Sequence, residues 1–322
     1  MNKICSVIVT YGNRFKFLKQ VIDSCLKNNI TKIIVVDNNC TEKSRKELIS
    51  LENKIKGLKV IHLSKNIGSA GGFKTGIEKA IKRSECEYIL LLDDDNVISE
   101  SYIEIMLSNL RFYEAKYGKG RVVLFSNRIN LRLEPSNIKL GTFLGFDIGD
   151  LPYKIKKAIT GKTKSIPDKS ELDVAGWGGL FLHRSLVGNC GLPNESLILY
   201  HDDFEFTYRI RKKRGRIFFI KDAKILDLCP AGGKGTKLCV LGYFTTEPFR
   251  AYYSLRNKAY FDIFCKGDKT FKRKVNKLIY MSILTLLSVL FKKQERLRLI
   301  REAIKDGEEG KLGFNKKYPL PN

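Results

Sequence analysis

The nine residues YILLLDDDN, Tyr88 to Asn96, read as an apolar strand that stops in three consecutive aspartates. An unbroken apolar run of this length marks a strand covered on both faces, as in a parallel sheet. The same design recurs upstream. ICSVIVT (Ile4–Thr10) runs into TYGNR, KIIVVD (Lys32–Asp37) into DNN, and Leu58–Leu63 into NIGSAGG. Downstream, Arg121–Ser126, Ile217–Ile220 and Lys224–Leu228 are further strand candidates. Between the early strands, Leu18, Val21, Ile22 and Cys25 recur at helical spacing, and Ser44–Leu51, Gly72–Lys82 and Ser99–Tyr113 also read as helices. This alternation predicts an α/β fold with a doubly wound, mainly parallel sheet. Ligands of such sheets bind beyond the carboxyl ends of the strands, where all four polar clusters fall.

Of the 322 residues 43 % are apolar, which excludes disorder for the bulk of the chain. No run of eighteen apolar residues occurs, so no spanning helix is expected, and the N-terminus turns polar too soon for a signal peptide. The eight cysteines form no CxxC pair; they predict neither a zinc site nor a disulfide framework and fit a reducing cytoplasm. A net charge of +25 calls for a polyanionic neighbour. Nucleic acid is set aside because no binding motif is present. From Arg256 to Asn322 seventeen basic residues face seven acidic ones, around the apolar stretch LIYMSILTLLSVLF (278–291). An apolar stretch of fourteen residues makes a core helix or an interfacial segment, not a span, and Leu297, Ile300 and Ile304 then share one helical face. The expected neighbour is the anionic inner face of the cell membrane, with a second copy of the chain as the other partner for this tail.

Three adjacent carboxylates repel one another, and a divalent cation relieves that repulsion; a solvated acidic turn is the plainer alternative. Strand alternation turns Asp93 and Asp95 one way and Asp94 the other. Asp37 ends a strand where a carboxylate receives a ribose or base edge, or closes an Asx turn. Asn66, Gly68, Gly71 and Gly72 open a helix whose N-terminus suits phosphate, but they follow the third strand without GxGxxG spacing, which disfavours a nicotinamide dehydrogenase. Asp202 and Asp203 precede a helix, as a general base with a hydroxyl-binding neighbour or as N-terminal caps. Trp177, flanked by Gly176, Gly178 and Gly179, reads as an exposed platform or a core residue. His62 reads as structural.

Taken in order, VIVTYGNR, VVDNN, NIGSAGGFKTG, LLDDDN, GWGG and HDDFEFTYRIRKKRG resemble the family 2 glycosyltransferases, and most closely the bacterial galactofuranosyltransferases, with rhamnosyltransferases as near rivals. The resemblance covers the chain to about residue 260. It implies a GT-A-like fold with a basic helical C-terminal extension: a nucleotide-sugar-binding half over 1–126, an acceptor-binding and catalytic half over 127–245, and a basic helical tail over 246–322. It implies a nucleotide-sugar donor, Mn2+ or Mg2+, inversion at the anomeric carbon, and a glycan acceptor carried on lipid for cell-surface polysaccharide such as capsule. By position, Thr10, Tyr11 and Arg14 border the nucleotide, Asp37 holds uracil or ribose, and Asn66, Gly68, Gly71 and Gly72 line the diphosphate. Asp93 and Asp95 reach ribose and metal, and Asp94 the donor sugar. Trp177, Gly178 and Gly179 form the acceptor platform, Asp203 is the base and Asp202 its acceptor-binding neighbour. Arg209 meets phosphate or pairs with an acid. The family's metal-binding His is absent, and Asp227 stands in its neighbourhood as the candidate third ligand. The rivals are a nucleotidyltransferase, for which TYGNR is a poor match, and a non-catalytic nucleotide-sugar or glycan binder, against which both acid sets argue.

Overall fold

The structure, a computed structural model, describes residues 3–130, 159–160, 166–229, 242–267 and 271–321. The first half alternates as its apolar runs require: β1 (Ile4–Gly12), α1 (Phe15–Lys27), β2 (Lys32–Cys40), α2 (Glu42–Lys54), β3 (Leu58–His62), α3 (Gly68–Ile81), β4 (Tyr88–Asp93), β5 (Asn96–Ile98), α4 (Tyr102–Tyr117) and β6 (Val122–Arg128). There follow β7 (Glu171–Leu172), β8 (Leu180–His183), α5 (Arg184–Cys190), a 3-10 turn (Glu195–Leu197), α6 (Asp202–Lys212) and β9 (Arg216–Asp227). The irregular region expected over 127–170 and the Gly-rich loop 231–237 lie largely outside the described residues.

Among the described residues the strands form one sheet, ordered β3-β2-β1-β4-β8-β6-β9-β5, with β7 beside β9. β1 pairs in parallel with β2 and β4, β2 with β3, and β6 with β9, while β5, β7 and β8 run antiparallel to their neighbours. The sheet is therefore mixed: four pairings are parallel, including all of those among β1 to β4, and four are antiparallel, although the parallel pairings have the longer registers. Alternation along each strand separates two cores. Ile8, Val35, Leu90 and Leu92 pack with Leu18, Ile22 and Met106 of α1 and α4, whereas Val7, Ile34, Ile89 and Leu91 pack with Phe73 and Ile77 of α3 and Phe206 of α6. Both faces of the sheet are thus covered, as unbroken apolar strands demand. Where two strands were expected across 217–228, β9 is continuous, with a register break against β6 between Ile220 and Lys224. Such a break re-aims the strand end and brings Asp227 opposite Asn96 of β5.

One feature departs from the sequence reading. Cys5 and Cys86, both fully buried, are bonded as a disulfide at the start of β1 and just ahead of β4. No spacing motif announces a pair 81 residues apart. The tail adds α7 (Gly242–Thr245), α8 (Pro248–Tyr260), a π-turn (Phe261–Cys265), α9 (Phe271–Leu290) and α10 (Gln294–Glu308). Leu297, Ile300 and Ile304 are buried on one face of α10, as their spacing predicts, in an apolar cluster with Tyr252, Leu255 and Leu284. No helix among the described residues is long and apolar enough to cross a membrane.

Candidate active site

The carboxyl end of β4 carries a dense charge network. The Thr10 hydroxyl donates to Asp94 Oδ2 at 2.8 Å. The Arg14 guanidinium grips both Asp94 oxygens at 2.8 and 2.9 Å and reaches Asp95 Oδ2 at 2.9 Å. On the other side, Arg128 binds Asp227 at 2.8 Å and Asp93 at 3.3 Å. Asn96 joins the groups: its side-chain oxygen accepts the Asp93 amide, and its Nδ2 donates to Asp95 and, at 2.7 Å, to Asp227. Four carboxylates thus share two guanidiniums. Burial pushes Asp94 up to about 7 and Asp95 up to about 6, against the pull of the arginines.

A second acid pair opens α6. Asp202 is buried, and its Oδ2 accepts from Ser69 Oγ at 2.8 Å and from Trp177 Nε1 at 2.9 Å. Asp203 Oδ1 accepts its neighbour's amide, Phe204 N, at 2.8 Å. Burial first, then the Asp202 charge, raises the Asp203 carboxyl well above the usual range, and Asp93 adds to the shift. The Gly176–Gly179 strip separates the two acid sets. A Cβ at Gly176 would sit 3.4 Å from Asp203 Oδ2, and one at Gly178 would sit 2.3 Å from Asn96 Oδ1 and 3.1 Å from Asp93 Oδ2. Glycine is required at 178 because a side chain would occupy the cluster itself.

The backbone leading into α6 is strained. Ile198, Tyr200 and His201 all have φ near +60°, which costs of order 1–3 kcal/mol each for residues other than glycine. Asn257 of α8 holds this segment, donating to the carbonyls of Leu197, Leu199 and Tyr200 at 2.7–2.8 Å. Arg256 adds a bond to Leu197 O at 2.9 Å. The helical tail therefore braces the segment that aims Asp202 and Asp203. Burial depresses His201 to about 3, so its ring is neutral at working pH.

Residues 6–166, half of the chain, match the family model described as Glycosyl transferase family 2. The chain belongs to that family. This family 2 glycosyltransferase is 26 % identical over 163 residues to the galactofuranosyltransferase GlfT2 of Mycolicibacterium smegmatis, covering 46 % of this chain and 24 % of that protein. It is 26 % identical over 257 residues to the dTDP-rhamnosyl transferase RfbF of Shigella flexneri, covering 80 % of this chain and 78 % of that one. It superposes on the crystal structure of GalNAc-T7 with UDP, GalNAc and Mn2+ with a TM-score of 0.54 and 12 % identity, over 80 % of this chain and 47 % of that chain. The last likeness shows the fold, which is GT-A. The chain thus spans about a quarter of GlfT2 and about half of GalNAc-T7.

Several sites expected in this glycosyltransferase are placed differently. Trp177 is no exposed platform: its indole lies against Phe73 (4.7 Å between ring centroids) and Phe206 (5.3 Å), is buried, and turns its N–H to Asp202. Asp37 is enclosed, and its oxygens meet Cys40 N, Arg45 and His62. The α3 amides that were to meet phosphate are engaged inside the protein: Gly68 N donates to Asn66 Oδ1 and Ala70 N to Ile198 O. Gly72 instead lets α3 approach Val9 of β1, and Gly71 abuts Ile67. Asn66 is held by Asn38 and by the carbonyl of Pro321. Thr10 and Arg14 turn their donors to Asp94 and Asp95, leaving Tyr11, under the Arg14 guanidinium, as the half-buried ring at that edge. Arg209 pairs with an acid, Glu205, at 2.7 Å.

The donor chemistry admits a divalent ion, with a smaller ligand set than expected. Asp227 is engaged by Asn96 and Arg128, which contact both of its oxygens. Among the described residues no group of three His, Cys, Asp or Glu side chains stands ready for a metal. Asp93, with a partly exposed carboxylate and one long contact to Arg128, and Asp95 are the hard oxygen ligands that fit Mg2+ or Mn2+, which commonly complete their shell with substrate phosphate and water. Sequence reasoning missed Arg128, Asn96, Ser69 and Asn257. Arg128 and Asn257 belong to no quoted motif, and Asn96 and Ser69, though inside LLDDDN and NIGSAGG, drew no role because a lone Asn or Ser at a strand or helix end carries no periodic signal. Trp177→Phe keeps the ring packing and removes the N–H to Asp202. A lost hydrogen bond to a charged group is worth about 1.5 kcal/mol or more, so turnover should fall roughly tenfold. Turnover and pH profile both unchanged would remove Trp177 from a positioning role.

Proposed function

We propose that this glycosyltransferase moves a sugar from a nucleotide-sugar to a glycan hydroxyl with inversion at the anomeric carbon. One observation carries the reading: a carboxylate pair, the buried Asp202 and the half-buried Asp203, stands across the Gly176–Gly178 strip from the carboxylates that end β4. Asp203 takes the acceptor proton as the hydroxyl oxygen bonds to the anomeric carbon. The bond from that carbon to the diphosphate oxygen breaks, and its electron pair leaves with the nucleotide. Asp202, fixed by Ser69 and Trp177, binds a neighbouring acceptor hydroxyl. Tyr11 and Arg14 border the nucleotide. Asp93 and Asp95 would hold Mg2+ or Mn2+, which when bound supplies Lewis-acid stabilisation of the departing diphosphate.

The favoured donor is UDP-galactofuranose, supported by the motif variants NIGSAGGF, the triple aspartate and HDDFEF. The second reading is dTDP-rhamnose, favoured because the rhamnosyl transferase match spans most of both chains. The acceptor in this reading is a lipid-linked glycan of cell-surface polysaccharide, such as capsule, reached from the inner face of the membrane. Calorimetry with UDP, dTDP, GDP and CDP, with and without Mn2+, tests the donor half. A Mn2+-dependent preference for UDP is expected. Preference for dTDP moves the donor to rhamnose, and no binding by any of the four overturns the transfer reading.

A further inference from the structure

The helix α9 is built inside out. Its inward face carries Arg273, Asn276, Tyr280 and Ser288 beside Leu284, all buried. Its outward face presents Leu278, Ile279, Ile283, Leu286, Val289 and Leu290, of which Leu278, Leu286 and Leu290 are 68 %, 61 % and 66 % exposed. An ordinary surface helix does the reverse. These six positions recur at helical spacing and form one contiguous apolar strip, of the kind that marks an interaction surface. The strip has a cationic border: Lys274 on the helix, Lys292 and Lys293 just past its end, and Arg301 of α10, which donates to Thr285 on the flank of α9 at 3.2 Å. No acidic residue occurs between Phe271 and Lys293.

We propose that the outward face of α9 docks on an anionic lipid surface, with the helix lying in the plane of the interface. The packing decides between lying on a bilayer and crossing it. One face of α9 is committed to the protein through the Arg273–Glu308 and Lys277–Glu308 ion pairs and the Tyr280 and Leu284 contacts, so among the described residues it is the other face that is exposed to enter lipid. In-plane helices of this type bury their apolar face at the headgroup boundary while flanking cations meet anionic headgroups. The charge pattern also argues against a second copy of the same face, since Lys274, Lys292 and Lys293 would meet their own kind and no acidic residue occurs from Phe271 to Lys293 to receive them. Because α10 and α8 share one apolar cluster with α9, and α8 holds the segment before Asp202, the docking surface belongs to the helical layer that braces the acid pair. The inference rests on α9 alone and stands whichever sugar is transferred.

The test is flotation of the full chain with phosphatidylcholine vesicles, with and without phosphatidylglycerol. The chain is expected to float with the anionic vesicles and to remain below with the neutral ones. Leu286→Asp with Val289→Asp, and separately Lys292→Glu with Lys293→Glu, should each lower the floated fraction about tenfold, with unchanged melting temperature and unchanged nucleotide binding by calorimetry. The unchanged nucleotide binding separates this outcome from any failure of the transfer reading. A wild-type chain that stays below with anionic lipid overturns the proposal. So do variants that float like wild type, equal flotation on neutral vesicles, or a dimer in sedimentation velocity that the Leu286→Asp, Val289→Asp variant dissolves.

Discussion

Asp203→Asn is expected to fold, bind the nucleotide with unchanged affinity and transfer sugar about 10²–10⁴-fold more slowly, the usual contribution of a positioned general base. The amide keeps the shape and the contact to Phe204 N but takes no proton. The same variant should melt at a higher temperature than wild type near neutral pH. The sign follows from linkage. Burial and the neighbouring Asp202 raise the folded-state value of Asp203, so its favourable contribution to stability is full below the unfolded carboxylate value and is lost as pH rises through the folded value. Above the unfolded value the wild type therefore bears the cost either of ionising this carboxyl beside Asp202 or of keeping it protonated, and asparagine removes that cost. For the same reason the acid limb of the wild-type rate profile should lie above the range of an ordinary aspartate and should belong to the Asp202–Asp203 pair jointly. Full transfer by Asp203→Asn, or a profile that falls only at ordinary aspartate values, would remove Asp203 from the role of base.

The second large effect is structural and concerns a residue that no motif marks. Arg128→Met leaves Asp93 and Asp227 without their shared guanidinium, and Asp227 is almost wholly buried. Breaking a buried ion pair from one side costs about 3–5 kcal/mol, because the remaining charge is stranded. Thermal denaturation should show a melting temperature lower by roughly 5–10 °C. Donor binding should weaken as well, since Asp93 loses the contact that holds it at the end of β4. Adding Asp227→Asn to Arg128→Met removes the stranded charge and should recover most of the lost stability without restoring transfer. A single variant as stable as wild type would show that the Arg128 contacts contribute nothing net, and a double variant no better than the single would place the loss elsewhere.

Part of the active-site support lies in the helical layer, outside every motif that carries the family resemblance. Asn257 and Arg256 sit on α8, yet they hold carbonyls some 57–60 residues earlier, at the strained entrance to Asp202. Side chains that cap backbone carbonyls over such a separation leave no local pattern. Trp177 shows the complementary failure. Its flanking glycines suggested an exposed ring, whereas here glycine serves close approach to Asn96 and Ser126, and the ring itself is packed between Phe73 and Phe206.

Local sequence determined the sheet, the helices that cover both its faces, and the strand ends at which the acid sets collect. Unbroken apolar runs admit only a strand buried on both sides, and polar residues must follow where such a strand leaves the core. It also determined the two acid sets and the amphipathic face of α10, because period-2 and period-3.6 patterns are written residue by residue. Tertiary structure alone decided how the charges are shared. Which carboxylates face Arg14 and which face Arg128, whether Asp227 has an oxygen to spare, and which face of α9 is turned outward all depend on side chains brought together from distant segments. Burial then raises or lowers each group by an amount no linear pattern encodes.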